Sequence, residues 1–166
     1  LLDSLFRQTT RGRQGPVFLI VPEDLQHAHL PEPLSFAPKA EPVAPAMDAA
    51  AARVAVDLLL QAKSPVVLAG TGVDWAGARD EVRELAERLA MPVAVSYTAK
   101  GVFPENHPLA LGCLGFGSRP YARKFFQESD LILALGATFS EGTTLRFGHE
   151  IIPEKAQIVQ IDTDPD

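Results

Sequence analysis
The sequence predicts an α/β fold, a doubly wound parallel sheet with helices on both faces, and two observations carry that prediction. After residue 47, short apolar runs alternate with helical patterns of about 10 to 15 residues, the signature of strand–helix–strand units. The chain has 166 residues, 46% of them hydrophobic and 22% charged, enough to bury one core but not two catalytic domains.

The elements follow in order. Leu2 to Gln8 allows a helical turn, and Pro16 to Val21 is an unbroken apolar run of the kind seen in doubly covered strands. Such a strand has no partner nearby in sequence, so it is expected to be unpaired, re-docked or shared between copies. Half of the 14 prolines lie between Pro16 and Pro45, and residues 26–47 show neither a helical nor an alternating pattern. Proline fixes φ and lacks a donor, so this stretch reads as an extended linker. It separates a remnant, residues 1–25, from a main unit, residues 48–166. The first residues lack an initiator Met and a signal pattern, and the last follow a strand with no closing helix, so the chain is expected to be a piece of a longer protein.

In the main unit Asp48 is an N-cap for a helix to about Ala62, stopped by Ser64-Pro65. Val66 to Ala69 is a short buried strand running into Gly70-Thr71-Gly72. The next helix, Ala78 to Ala90, carries Val82, Leu85, Ala86 and Leu89 on one stripe and a Glu84–Arg88 pair on its wet face. Pro92 to Ser96 is the second strand, followed by a Gly- and Pro-rich loop, 98–117, in which Gly112 to Gly115 is an apolar loop or short strand. Ser118 is expected to cap a helix to about Gln127, with Pro120 in its first turn. Asp130 to Gly136 is the third strand, 137–156 a long loop, and Gln157 to Ile161 the fourth.

Composition excludes several partners. A net charge of −6 offers no broad surface for phosphate neutralisation, which argues against nucleic acid. No apolar run approaches the roughly 20 residues that span a bilayer, so no membrane is expected. Cys113 stands alone, so no internal disulfide forms, which fits a reducing, cytoplasmic setting. His27, His29, His107 and His149 have no second ligand at metal spacing and read as exposed. No nucleophile–base motif occurs, so neither a catalytic nor a metal-ligating residue is assigned.

In an open parallel sheet ligands sit beyond the carboxyl ends of the strands. Gly70, Thr71 and Gly72 follow the first strand with Gly77 before the helix, a G-x-G-x4-G spacing rather than G-x-G-x-x-G. Those glycines suit either a phosphate approaching backbone N–H groups or the turn's own geometry, with about equal weight. Gly136, Ala137 and Thr138 occupy the same place after the third strand. Asp162, after the fourth, is placed to accept from ribose hydroxyls or to cap the next element. Asp162, Thr163, Asp164 and Asp166 read as a solvated turn rather than a cation site.

Several segments, in order, resemble the thiamine-diphosphate-dependent decarboxylases and acetolactate synthases. Gly15-Pro16-Val17-Phe18-Leu19-Ile20-Val21-Pro22-Glu23-Asp24 is similar to the segment closing their pyrimidine-binding domain. Pro65 to Val73, Lys100-Gly101-Val102-Phe103-Pro104-Glu105-Asn106-His107-Pro108-Leu109, Ser129 to Ala137 and Ile161 to Pro165 are similar to successive parts of their central domain. The resemblance implies a Rossmann-like central domain that holds a non-redox FAD in acetolactate synthases and ADP or nothing in other relatives. It implies thiamine diphosphate and Mg²⁺ bound by other domains of a parent enzyme acting on 2-oxo acids such as pyruvate, and a homo-oligomer. Thr138 stands where FAD-binding members carry arginine, and Phe116-Gly117-Ser118-Arg119 where they carry M-H-G-T. Both departures weaken the case for FAD, with Arg119 and Arg146 as the cations available to compensate. The competing readings are a free-standing NAD-binding enzyme and a ligand-free scaffold.

Overall fold
The computed structural model describes residues 2–10, 15–29 and 46–163. The chain forms two compact units, residues 1–46 with 163–166, and residues 47–162.

In the first unit, α1 (Leu2–Thr10) extends the predicted turn by two residues, and α2 (Glu23–Gln26) reaches the first residue of the expected linker. The apolar run 17–21 forms no ladder among the described residues, and Phe18 and Ile20 are 91% and 89% exposed. A strand is held by pairing and by burial of its side chains, and this run finds neither there. Most of the linker, 30–45, lies outside the described residues, as do Asp164 and Asp166.

The second unit is a five-stranded, all-parallel sheet in the order β3-β2-β1-β4-β5, where four strands were expected. Helix α3 (Ala49–Gln61) starts at Asp48, whose carboxylate accepts the N–H groups of Ala50 and Ala51 at 2.9 and 3.3 Å. Strand β1 (Pro65–Ala69) follows and sits at the centre, pairing Val67 with both Val93 and Leu133. The glycine turn after it opens at once into α4 (Thr71–Trp75), then α5 (Arg79–Leu89). On α5, Val82 and Ala86 are buried and Leu85 packs beside them, but Leu89 faces outward; Arg88 Nη2 meets Glu84 Oε1 at 2.6 Å. Helix α5 ends on Ala90 in the left-handed region, φ 50°.

Beyond β2 (Val93–Val95), the Gly- and Pro-rich stretch contains a 3₁₀ turn, Tyr97–Ala99, and strand β3 (Ala110–Cys113), which starts two residues before the segment 112–115 expected as a loop or short strand. Gly112 at φ 80° and a register irregularity opposite Val93 and Ala94 break the two-residue periodicity by which a strand is recognised. Helix α6 (Pro120–Glu128) is capped by Arg119, not Ser118; Pro120 takes the first position, where its missing N–H costs nothing. Ser118 instead donates its hydroxyl to Gly115 O at 2.6 Å and accepts Arg123 Nε–H at 2.8 Å. Strand β4 (Leu131–Leu135), the short helix α7 (Glu141–Thr144) inside the predicted long loop, and β5 (Gln157–Ile161) complete the unit.

Alternation along the strands divides the core between two faces. Val67, Ala69, Leu131, Leu133 and Leu135 pack with Leu58 and Leu59 of α3 and Val82 and Ala86 of α5. Val66, Leu68, Ile132 and Ala134 pack with Ala122 and Phe126 of α6 and with Ile151. Helices therefore cover both faces, which explains why β1 and β4 are apolar at every position.

Candidate functional site
From β1 the chain winds outward through β2 to β3, then crosses back by α6 to β4 on the far side of β1. The reversal makes the carboxyl ends of β1 and β4 the topological switch point, where open α/β sheets place their ligands. The predicted residues come together at this rim. Gly136 N–H donates to Ile161 O at 2.8 Å, which brings the residue before Asp162 beside the β4 turn.

The glycines are explained by backbone meeting backbone. Gly70 N–H donates to Leu135 O at 2.9 Å and Gly72 N–H to Gly136 O at 3.0 Å. A Cβ on Gly72 would stand 2.6 Å from Gly136 Cα; one on Gly136 would stand 2.6 Å from Gly72 Cα and 2.8 Å from Val73 N. Gly136 also holds φ 52°, the region that favours glycine. The β1 and β4 turns are thus pressed together, and the N–H groups of Gly70 and Gly72 are already committed. Ala137 is buried, Thr71 half-buried, and Thr138 and Asp162 exposed, leaving the two threonines and Asp162 as the polar side chains of the predicted set.

Past Thr138 the chain runs along the rim to the end of β3, where Gly142 O accepts Phe116 N–H at 3.2 Å. Ser140 caps α7, accepting Thr143 N–H at 3.4 Å. Three consecutive residues, Leu145, Arg146 and Phe147, then adopt positive φ of 52°, 63° and 59°. Each such residue costs roughly 1 to 2 kcal/mol. The turn is held by Arg146 N–H to Glu141 O at 2.9 Å and Phe147 N–H to Thr144 Oγ1 at 3.0 Å. Arg146 sits loosely on Glu141 at 4.0 Å. Tyr97, just after β2, and Phe116, just after β3, are exposed on the same rim. Tyr97 was not singled out in the sequence; only its place directly after a strand pointed to it.

Other candidates are engaged elsewhere. Lys100 pairs with Glu105 at 3.5 Å. His107 is half-buried rather than exposed: Nε2 lies 3.1 Å from Glu87 Oε1, Nδ1 accepts Leu109 N–H, and the ring meets Phe103 edge-on. The Lys100–Leu109 motif therefore ties the loop before β3 to α5. Burial pushes the Cys113 thiol up, partly offset by Lys100, the opposite of an activated nucleophile. Among the described residues no three His, Cys, Asp or Glu converge as a metal set would, and no helix is long and apolar enough to cross a membrane. A cavity of about 310 Å³ lies at the other end of the sheet, lined by Leu58, Gln61, Asp130 and Lys155 among others.

An all-parallel sheet with a central switch point and helices on both faces defines a Rossmann-like domain of the α/β class. Residues 52–166 match the family model described as thiamine pyrophosphate enzyme, central domain, and the chain belongs to that family. The sulfoacetaldehyde acetyltransferase of Castellaniella defragrans is 37% identical over 161 residues, covering 93% of this chain and 26% of that protein. Acetolactate synthase isozyme 1 large subunit of Escherichia coli (strain K12) is 35% identical over 167 residues, covering 99% of this chain and 28% of that protein. The crystal structure of benzoylformate decarboxylase from Polynucleobacter necessarius superimposes with TM-score 0.74 at 28% identity, covering 99% of this chain and 30% of that one. The chain thus spans less than a third of the length of each of these proteins.

Proposed function
We propose that this chain is the central, non-catalytic domain of a longer thiamine-diphosphate-dependent enzyme, acetolactate synthase-like, that acts on 2-oxo acids such as pyruvate. The observation that carries this reading is the family match over residues 52–166, in a chain that spans about a quarter of its acetyltransferase and synthase relatives. Thiamine diphosphate, when bound, supplies an electron sink for a carbanion equivalent. No residue of this chain is proposed to hold it or its Mg²⁺. The role left to the domain is to join catalytic domains within a cytoplasmic homo-oligomer and to offer its rim to a nucleotide.

The residues fit ADP better than FAD. Thr71 and Thr138 offer hydroxyls to phosphate and Asp162 a carboxylate to ribose, but Thr138 lacks the charge an arginine would bring. A ligand-free scaffold is the second reading, favoured by one observation: the N–H groups of Gly70 and Gly72 are spent on β4. Calorimetric titration with ADP, FAD and NAD separates the two. Binding of ADP ahead of FAD is expected, and Thr138→Arg should raise FAD affinity about tenfold, one charge-assisted hydrogen bond of about 1.4 kcal/mol. No heat with any of the three removes the nucleotide reading.

A further inference from the structure
His107 holds the approach to the edge strand β3 by two contacts of opposite character. Leu109 N–H donates to its Nδ1 at 3.2 Å. A backbone N–H can only donate, so Nδ1 is the unprotonated nitrogen and the ring proton sits on Nε2, 3.1 Å from Glu87 Oε1. The neutral ring thus accepts from its own loop while it donates to α5. It is half-buried and meets the buried ring of Phe103 edge-on, with centroids 5.0 Å apart. The turn it anchors leads straight into the sheet. Ala110 N–H donates to His107 O at 2.9 Å, Val93 N–H donates to Leu109 O at 2.8 Å, and Ala110 pairs with Val93.

Charging the ring treats the two contacts differently. The second proton goes to Nδ1, where it confronts Leu109 N–H, donor against donor. The contact with Glu87 becomes an ion pair and strengthens. A charged ring therefore keeps its hold on α5 and loses its hold on the loop. Among the described residues α5 brings Glu87 to the ring, its Arg83 and Arg88 being taken by Asp80 and Glu84. On the loop itself Lys100 pairs with Glu105 at 3.5 Å, while β2 carries no titratable side chain and β3 carries Cys113. We propose that His107 is a pH-sensitive latch on the start of β3, closed while the imidazole is neutral and open once it is charged. Histidine is the side chain that ordinarily changes charge between pH 5 and 8, so the latch opens as pH falls through that interval. Neither a nucleotide at the rim nor thiamine diphosphate enters this inference.

Hydrogen exchange in the full-length protein at pH 8 and pH 5 tests it, each amide's rate being divided by its intrinsic rate at that pH. Protection at Leu109 and Ala110 should fall about tenfold on acidification, with Leu133 at the centre of the sheet unchanged. Two variants separate the contacts. His107→Asn places Oδ1 where Nδ1 stood and cannot be charged, so protection should persist at both pH values. His107→Gln leaves Leu109 N–H without its acceptor, so protection should be low at both. Unchanged protection in the parent protein overturns the proposal. So does an equal loss on acidification in His107→Asn, which assigns the opening to another group. The imidazole ¹⁵N shifts of the parent protein decide independently of how the variants fold: loss of protection while Nδ1 is still unprotonated overturns the latch.

Discussion
The contact between the β1 and β4 turns predicts what a single methyl group does at Gly136. In Gly136→Ala the new Cβ is placed 2.6 Å from Gly72 Cα, 2.7 Å from Gly72 C and 2.8 Å from Val73 N. All three are backbone atoms, so no rotamer relieves the overlap. Forcing extra volume into a packed site costs about 1 to 3 kcal/mol. Holding a non-glycine residue at φ 52° adds about 1 to 2 kcal/mol. Together they remove about 2 to 5 kcal/mol from a domain whose total stability is of order 5 to 15 kcal/mol. At about 4 °C per kcal/mol the melting midpoint should fall by roughly 8 to 20 °C.

Two further glycines separate the contributions. Gly77 has φ 66° with nothing within 4 Å of its would-be Cβ, so Gly77→Ala should show the conformational cost alone, about 1 to 2 kcal/mol. Gly142 is in α7, without positive φ and with open space around it, so Gly142→Ala should be neutral or stabilising by up to about 1 kcal/mol. Urea titrations of the three variants, read for midpoint at constant slope, give the order. If Gly136→Ala loses no more stability than Gly77→Ala, the turns are not pressed together and the explanation of the glycines fails.

Asp130 predicts an acid-sensitive tie. Its carboxylate accepts the N–H groups of Lys63 and Ser64 at 2.7 and 2.9 Å, joining the link between α3 and β1 to the start of β4. The Lys63 N–H foremost, with Ser64, holds the carboxyl below its ordinary range. A lowered folded pKa means the stabilisation is present above the unfolded value of about 3.9 and is lost as pH falls through the folded one. Asp130→Asn should therefore cost about 1 to 2 kcal/mol at pH 7, the low end for charge-assisted bonds because solvent reaches the group. The gap to the parent chain should close in urea melts near pH 2, and a gap independent of pH would refute the assignment. Phe126, fully buried between α6 and the sheet, makes Phe126→Ala worth about 3 to 5 kcal/mol in the same titration. A loss under about 1 kcal/mol would mean that face is not packed as described.

Most of the sheet was legible from local pattern: β1, β2 and β4 are apolar runs bounded by Pro, Gly or Ser, and β5 is a short Ile- and Val-bearing run ending at Asp162. β3 was legible only in part, as a loop or short strand over Gly112 to Gly115, and the reason is physical. Its four residues bend around Gly112 and depend on β2 for their register, so the signal is tertiary rather than periodic. Ser118 misled as a cap for a related reason. A serine before a helix competes for any nearby partner, and Gly115 O together with Arg123 took it. The run Val17 to Val21 shows the converse, strong strand propensity without a strand, because propensity supplies no partner.

The rim makes the same point about glycine. The spacing Gly70, Gly72, Gly77 says that the chain turns sharply after β1, but not what the bare backbone faces. A phosphate and another turn place the same demand on the residue: no Cβ, and N–H groups directed outward. The structure directs those of Gly70 and Gly72 at Leu135 O and Gly136 O, so the glycines are accounted for without a ligand. The case for a nucleotide then moves to the hydroxyls of Thr71 and Thr138, with the Asp162 carboxylate at the same rim. That is why Thr138→Arg, rather than any glycine variant, is the informative substitution for the site. Replacing a glycine would break the junction of β1 with β4 and abolish binding whether or not a nucleotide ever touches it.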